Sequence, residues 1–248
     1  MDLRVADLLA ARGLLGTFYI PVKGHHGSRL TGLAEMLEVD SRGFEVGAHG
    51  VSHPHLTQCD KQQLTLEVDT CKKRLEDDLG KSISMFAYPG GQHNRQVIAT
   101  LKQAGYVGAR TTALLGRGLR FDPFRMPTSA HVFPHTRFDY LRNLAGAADL
   151  NRAWVYATEF RHAINWVGLA KSLFDSVLRD GGLWHLWGRS WEIEELRLWA
   201  GLREVLDYVA KRPEVSYLSN GAAVRVGANK VAGTAHSPSP SLLESRHQ

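Results

Sequence analysis

The stretch FEVGAHGVSHPHL, residues 44–56, decides how the rest of the chain is read. Its first five residues are a short β-rich apolar run, and His49, His53 and His55 follow within seven positions. His49 and His53 form an HxxxH pair, a spacing that on a helix sets two imidazoles within reach of one metal ion. The chain holds 12 histidines, and HVFPH supplies a second pair of the same spacing in His131 and His135, so spacing alone does not decide. Context adds weight. His49 directly follows a strand, and Gly47, Ala48 and Gly50 leave room beside it for a ligand, while Pro54 limits how the chain leaves.

Outward from this stretch the pattern alternates. Upstream, a helical pattern at Leu3, Val5, Leu8 and Leu9 ends at Gly13 and feeds the strand GTFYIP; a second, at Leu30, Leu33, Ala34 and Leu37, feeds FEVGA. Downstream, Thr57 and Asp60 resemble a capping box before a helix with Leu64, Val68, Cys71, Leu75 and Leu79 on one face, closed by Gly80. SISMFAY follows as a strand, then a helix capped by Asn94 and the strand YVGAR. Later come a helix from Asn165 to Arg179, the strand GLWHLW, a helix from Ser190 to Lys211 and the strand VSYLS, with NG as a turn after it. Residues 113–163 are less regular and receive no assignment. Strands alternating with helices predict an α/β fold whose parallel sheet, open or closed into a barrel, carries its ligands at the carboxyl ends of the strands. The expected domain covers residues 1–225, and residues 226–248, rich in Gly, Ser and Pro, read as a disordered tail.

The 248-residue length, 44% apolar and 22% charged content are those of an ordinary globular protein. A net charge of +5 is spread without a basic run and without an aromatic-plus-basic motif, which argues against nucleic acid as a partner. No window approaches the apolar length of a membrane span, and no secretory signal is visible, so the expectation is no membrane partner and a cytoplasmic location. Cys59 and Cys71, read as lying on one helix about 18 Å apart, are expected to be free thiols.

Four elements in order carry a resemblance to a known family. GAHGVSHPHLT resembles the H-[ST]-x-x-H-P element of the polysaccharide deacetylase family, also called the NodB-homology domain or carbohydrate esterase family 4; GTFYIP resembles its ATFF strand, FAYPGG its third motif, and GGLWHLWGRSW its last motif, a strand ending in Leu-x-His. The resemblance spans residues 5–221. It implies a distorted (β/α) barrel of parallel strands and a hydrolase that removes acetyl groups from N-acetylated carbohydrate with the help of a divalent metal, zinc foremost. Zinc accepts neutral imidazoles, and a divalent ion both polarises an amide carbonyl and lowers the pKa of bound water.

Mapped residue by residue, the resemblance implies His49 and His53 as metal ligands, His185 as the acid that protonates the leaving amine, Gly90 as the backbone oxyanion donor and Tyr88 as a residue lining the substrate groove. Side by side stand plainer readings: His185, flanked by Trp184 and Trp187, as a histidine satisfied within an aromatic core; Tyr88 as a strand-end aromatic; His55, which the family does not use as a ligand, as a solvated loop residue.

The sequence departs from the family at one decisive place. The first motif, T-F-D-D-G, whose aspartates are the general base and third ligand, has no counterpart, so the first strand is expected to be missing. Ala87 stands where many members have arginine, and Arg189 replaces a histidine in W-G-R-S-W-E. Without the two aspartates the chain as given is expected to turn over poorly. Two rivals remain: a degenerate, noncatalytic carbohydrate-binding domain, and an unrelated metal-dependent hydrolase using an acidic ligand such as Asp122.

Overall fold

The computed structural model describes residues 1–23, 33–146, 156–157, 163 and 165–234. Helix α1 (Asp2–Ala10) leads into β1 (Thr17–Ile20), and α2 (Leu33–Ser41) into β2 (Glu45–Ala48). Helices α3 (Lys61–Thr65) and α4 (Cys71–Leu79) flank a π-helical turn at Leu66–Thr70 and precede β3 (Met85–Ala87), while α5 (Arg95–Gln103) precedes β4 (Gly108–Arg110). Then come β5 (Ala130–His131), α6 (Arg137–Gly146), α7 (Trp166–Asp180), β6 (Leu186–Trp187), α8 (Ser190–Glu195), α9 (Trp199–Val209) and α10 (Asn220–Thr234).

The parallel sheet is present. Strands β1 to β4 lie in sequence order, with Thr17 opposite Glu45, Ala48 opposite Phe86 and Ala87 opposite Arg110. A parallel bridge from Arg110 to Met126 extends this line toward β5, which pairs with β6 through Ala130–Leu186 and His131–Trp187. Every pairing is parallel, as helix-linked strands require. Among the described residues no ladder joins β6 back to β1, so β1 has one paired edge.

Local chemistry explains most element ends. Asp60 caps α3 by accepting from the Gln63 amide at 2.8 Å, and Asn94 caps α5 by accepting from Val97 at 2.9 Å. The expected capping box corrects to this single cap, because Thr57 lies in a separate 3₁₀ turn with its hydroxyl on Gln92. Gly80 closes α4 at φ +66°, a left-handed cap. At Gly47 a Cβ would sit 2.5 Å from the Tyr19 ring, so a glycine is what lets that ring cover β2.

Among the described residues two large hydrophobic clusters hold the layers, beside a small third one of Met85, Met126, Ala223 and Val224. Val39, Val46, Phe86 and Leu101 pack the first four strands against α2 to α5, and Trp166, Leu169, Leu173 and Val205 pack α7 against α9. Leu173 is fully buried, worth about 1.5–3 kcal/mol in transfer from water.

Five expectations are corrected here. The single helix expected over 190–211 breaks at Arg197, whose φ of +53° ends α8 and re-aims α9. Val215–Ser219 enters no strand ladder. The Asn220–Gly221 pair begins α10 instead of a turn, because Glu45 accepts from the Gly221 amide at 3.0 and 3.1 Å and Thr17 accepts from Asn220 at 2.9 Å. A carboxylate at a helix start satisfies orphan amides and complements the dipole, overriding the local turn preference. The helix continues to Thr234, through the start of the expected tail; residues 235–248 lie outside the described residues. Finally, Cys59 precedes the helix that Cys71 belongs to; both thiols are free, and burial pushes that of Cys71 up to about 11.

Candidate active site

A cavity of about 1200 Å³ opens between the end of β2, the turn after β3 and the β6 segment, and all five residues singled out from the sequence line it: His49, His53, Tyr88, Gly90 and His185. The edge strand β1 and the segment Val215–Leu218 form another wall.

His49 follows β2 directly, and its Nδ1 lies 2.8 Å from the Ala87 carbonyl. A carbonyl only accepts, so Nδ1 carries the proton of this contact, which leaves Nε2 as the ring nitrogen that could face a metal. The His53 ring lies edge-on to it with centroids 4.6 Å apart. His53 holds a left-handed φ of +60°, and Gly50 one of +83°, so the segment between the rings turns tightly. His55 is exposed, with its ring against Gly90, as the solvated reading expects.

Gly90 sits in the turn Pro89–Gly91 at φ +65°, a conformation that favours glycine, and it faces the cavity with its backbone. Tyr88 beside it is 2% exposed, its hydroxyl donates to the Phe124 carbonyl at 2.9 Å, and its ring stacks on His93. That side chain serves the core, which favours the plain strand-end reading over the groove-lining one.

His185 stands one residue before β6 and not at a strand's carboxyl end, because the ladder begins only at Leu186. Its Nδ1 lies 2.9 Å from Thr128 Oγ1, whose own hydroxyl has the carbonyls of His185 and Ala130 at 3.2 and 3.3 Å. With the threonine hydroxyl donating to one of those carbonyls, Nδ1–H donates to Oγ1 and Nε2 is the lone-pair nitrogen. His185 is half-buried and lines the cavity. Burial, and then the Arg110 cation, hold its pKa well below the usual value, so the resting imidazole is neutral. An acid role requires an anion nearby to offset Arg110.

Arg110 is the residue that the sequence reading missed. It is 5% exposed, lines the cavity, and spends Nε and Nη2 on Asn220 at 3.1 and 2.5 Å and Nη1 on the Pro127 carbonyl at 2.5 Å. It lies opposite Ala87 in the β3–β4 register, beside the position where arginine was expected. Glu67 was missed as well. It is 6% exposed and accepts from the Val51 and Ser52 amides at 2.6 and 2.9 Å. A carboxylate three residues after Leu64, on the apolar stripe of a helix, was the available signal.

The second histidine pair lies elsewhere. His131 is 4% exposed, stacks on Trp187 with centroids 3.9 Å apart, and shares a 2.8 Å hydrogen bond with His135, while its Nε2 faces Glu192 at 3.4 Å. Trp184 packs on Phe174 and donates to the Ala170 carbonyl, so both tryptophans flanking His185 have packing partners. Asp122 caps the 3₁₀ turn Pro123–Arg125, accepting from Phe124 at 2.9 Å, and does not line the cavity.

The donor chemistry of His49 and His53 suits a divalent metal. Among the described residues, no group of three or more His, Cys, Asp or Glu side chains gathers to hold one. No described helix is long and apolar enough to cross a membrane.

The chain is similar to known proteins. Residues 2–109 match the polysaccharide deacetylase family model. A Mycobacterium smegmatis protein described as a polysaccharide deacetylase superposes with a TM-score of 0.65 at 15% identity, over 99% of this chain and 81% of that one. A Streptococcus pyogenes deacetylase in complex with acetate is 24% identical over 42% of this chain and 46% of its own, with a TM-score of 0.38. A family 4 carbohydrate esterase from Streptomyces lividans, also in complex with acetate, is 14% identical over 84% and 80% with a TM-score of 0.47. The matched part thus spans about half of the streptococcal chain's length. No curated protein matches. The parallel α/β fold is the one shared with the mycobacterial structure, and residues 2–109 are similar to the polysaccharide deacetylase family.

Proposed function

We propose that this chain is a metal-dependent hydrolase that removes acetyl groups from N-acetylated carbohydrate. The observation that carries the reading is convergence: His49 and His53 after β2, Gly90 after β3 and His185 before β6, far apart in sequence, line one cavity. A divalent ion held by His49 and His53, zinc by preference for imidazole, would polarise the amide carbonyl and acidify water.

The chain's own groups do the remaining work. The Ala87 carbonyl orients the His49 ring through Nδ1. Gly90 offers backbone to a developing oxyanion without a side chain in the way. His185 keeps Nε2 unprotonated at rest and takes on the acid role only once an anion offsets Arg110. Among the described residues the donors still wanting are a third ligand and a base, both carboxylates in the family; a strand laid along the single-paired edge of β1 would bring them beside this cavity. A second reading, a noncatalytic carbohydrate-binding domain, is favoured by the lack of a third metal-holding side chain among the described residues.

The experiment compares this chain with one extended by any in-frame upstream coding sequence, measuring zinc content and acetate release from N-acetylglucosamine oligomers. Zinc and acetate from the extended chain support the deacetylase reading. Sugar binding with neither zinc nor acetate supports the binding domain.

A further inference from the structure

We propose that Glu67 is the positioning residue of the metal site, fixing the loop that presents His49 and His53; for the metal this rests on the reading just given. The Val51 and Ser52 amides both point at Glu67 Oε2, at 2.6 and 2.9 Å, and the Ser52 hydroxyl donates to Oε1 at 2.5 Å. Three donors from the middle of one histidine pair therefore converge on one buried carboxylate. The loop is wrapped so closely that a Cβ on Gly50 would lie 3.1 Å from Oε2.

The backbone supplies no reason of its own for this shape. His53 is a non-glycine residue at φ +60°, a conformation that persists only where its surroundings hold it. Val22 and Lys23 donate to the Gly50 and Val51 carbonyls at 3.1 and 2.7 Å, which ties the loop to the end of β1, and Glu67 ties its amide side to the helix layer. A carboxylate facing the core is costly unless donors meet it, and this one is met only when residues 50–52 take the observed turn. An apolar residue would pack the same helix face without constraining the loop. The π-helical turn Leu66–Thr70 serves the same end: its extra residue lets Glu67 and Val68, adjacent in sequence, both face inward.

The test uses the full chain and two variants, Glu67→Gln and Ser52→Ala. Glu67→Gln keeps the volume but removes the charge and one of the two accepting oxygens, so that Oε2 and Oε1 can no longer both accept; Ser52→Ala, at an exposed position, removes one donor without touching the helix. Amide hydrogen exchange is followed over residues 49–56 and, as a control, over α9, and zinc binding is titrated with the metal alone. Expected for Glu67→Gln is exchange at Val51 and Ser52 faster by at least about tenfold with α9 unchanged, and zinc affinity weaker by about 10–100-fold, the range for lost outer-shell partners. Ser52→Ala follows in the same direction by less, and stands in if Glu67→Gln does not fold. Unchanged exchange over 49–56 in a folded variant overturns the proposal, as does zinc affinity within twofold of the parent. If the parent binds no zinc, the metal reading fails separately, and exchange alone decides whether Glu67 holds the loop.

Discussion

Replacing Thr128 by valine keeps the volume of a fully buried side chain and removes one atom, the hydroxyl oxygen 2.9 Å from His185 Nδ1. The lost hydrogen bond is worth about 0.5–1.5 kcal/mol net, and leaving a buried N–H without a partner adds a desolvation penalty of about 1–3 kcal/mol. The hydroxyl's own donation to a carbonyl is lost as well, but at 3.2–3.3 Å it is the weaker contact. Because the His185 ring borders the cavity, where water can rescue part of the penalty, the sum settles at about 2 kcal/mol. For a chain of this size that is a fall in Tm of about 4–8 °C. Urea unfolding of the parent, Thr128→Val, Thr128→Ser and the double variant Thr128→Val with His185→Phe measures it. Serine should recover most of the loss, and the double variant should be no less stable than His185→Phe alone, since no orphaned donor remains. A Thr128→Val cost below about 0.5 kcal/mol, or an equal cost in the His185→Phe background, would refute the assigned hydrogen bond and with it the tautomer inferred for His185.

Acid should weaken the fold through its buried histidines. Burial and then His131 lower His135 to about 4, and burial lowers His131 too, so between the unfolded value near 6.5 and about 4 the unfolded chain binds more protons. Stability is therefore fully present above about pH 6.5 and is lost as pH falls toward 4; His135→Gln should flatten that slope in urea titrations, and an unaltered slope counts against it. Gly91→Ala should destabilise more than Gly90→Ala: both need left-handed backbone, but at Gly91 the new Cβ would lie 2.2 Å from Thr112 Oγ1, whereas at Gly90 it meets the exposed His55 ring at 3.0 Å. Asn94→Ala, which removes the cap of α5, should cost about 1 kcal/mol in the same assay.

The first half of the fold was legible because its signals are local. Apolar runs preceded by helices that end in glycine sit where β1 to β4 form, and Asn94 and Gly80 act as the pattern says. The second half was less so, since its outcomes depend on distant groups. Asn220 and Gly221 read as a turn until Thr17 and Glu45, some two hundred residues upstream, take up their amides. Gly-Leu-Trp-His reads as strand, but only Leu186 and Trp187 find a partner. The site shows the same division. His49 and His53 carry a spacing motif; Arg110 carries no signal and Glu67 only that of a carboxylate on an apolar stripe, so their partners become visible only when burial and hydrogen bonds are known.

The π-helical turn at Leu66–Thr70 makes the histidine loop dependent on residue count as much as on residue type. Each residue adds about 100° of helix rotation, so deleting one between Leu66 and Thr70 would restore regular α-helix while swinging either Glu67 or the Leu64 side of the stripe off the core. Such a deletion would leave a better helix and a looser loop. Tolerance to insertions and deletions should therefore be lowest in a segment that, by composition, looks like an ordinary amphipathic helix.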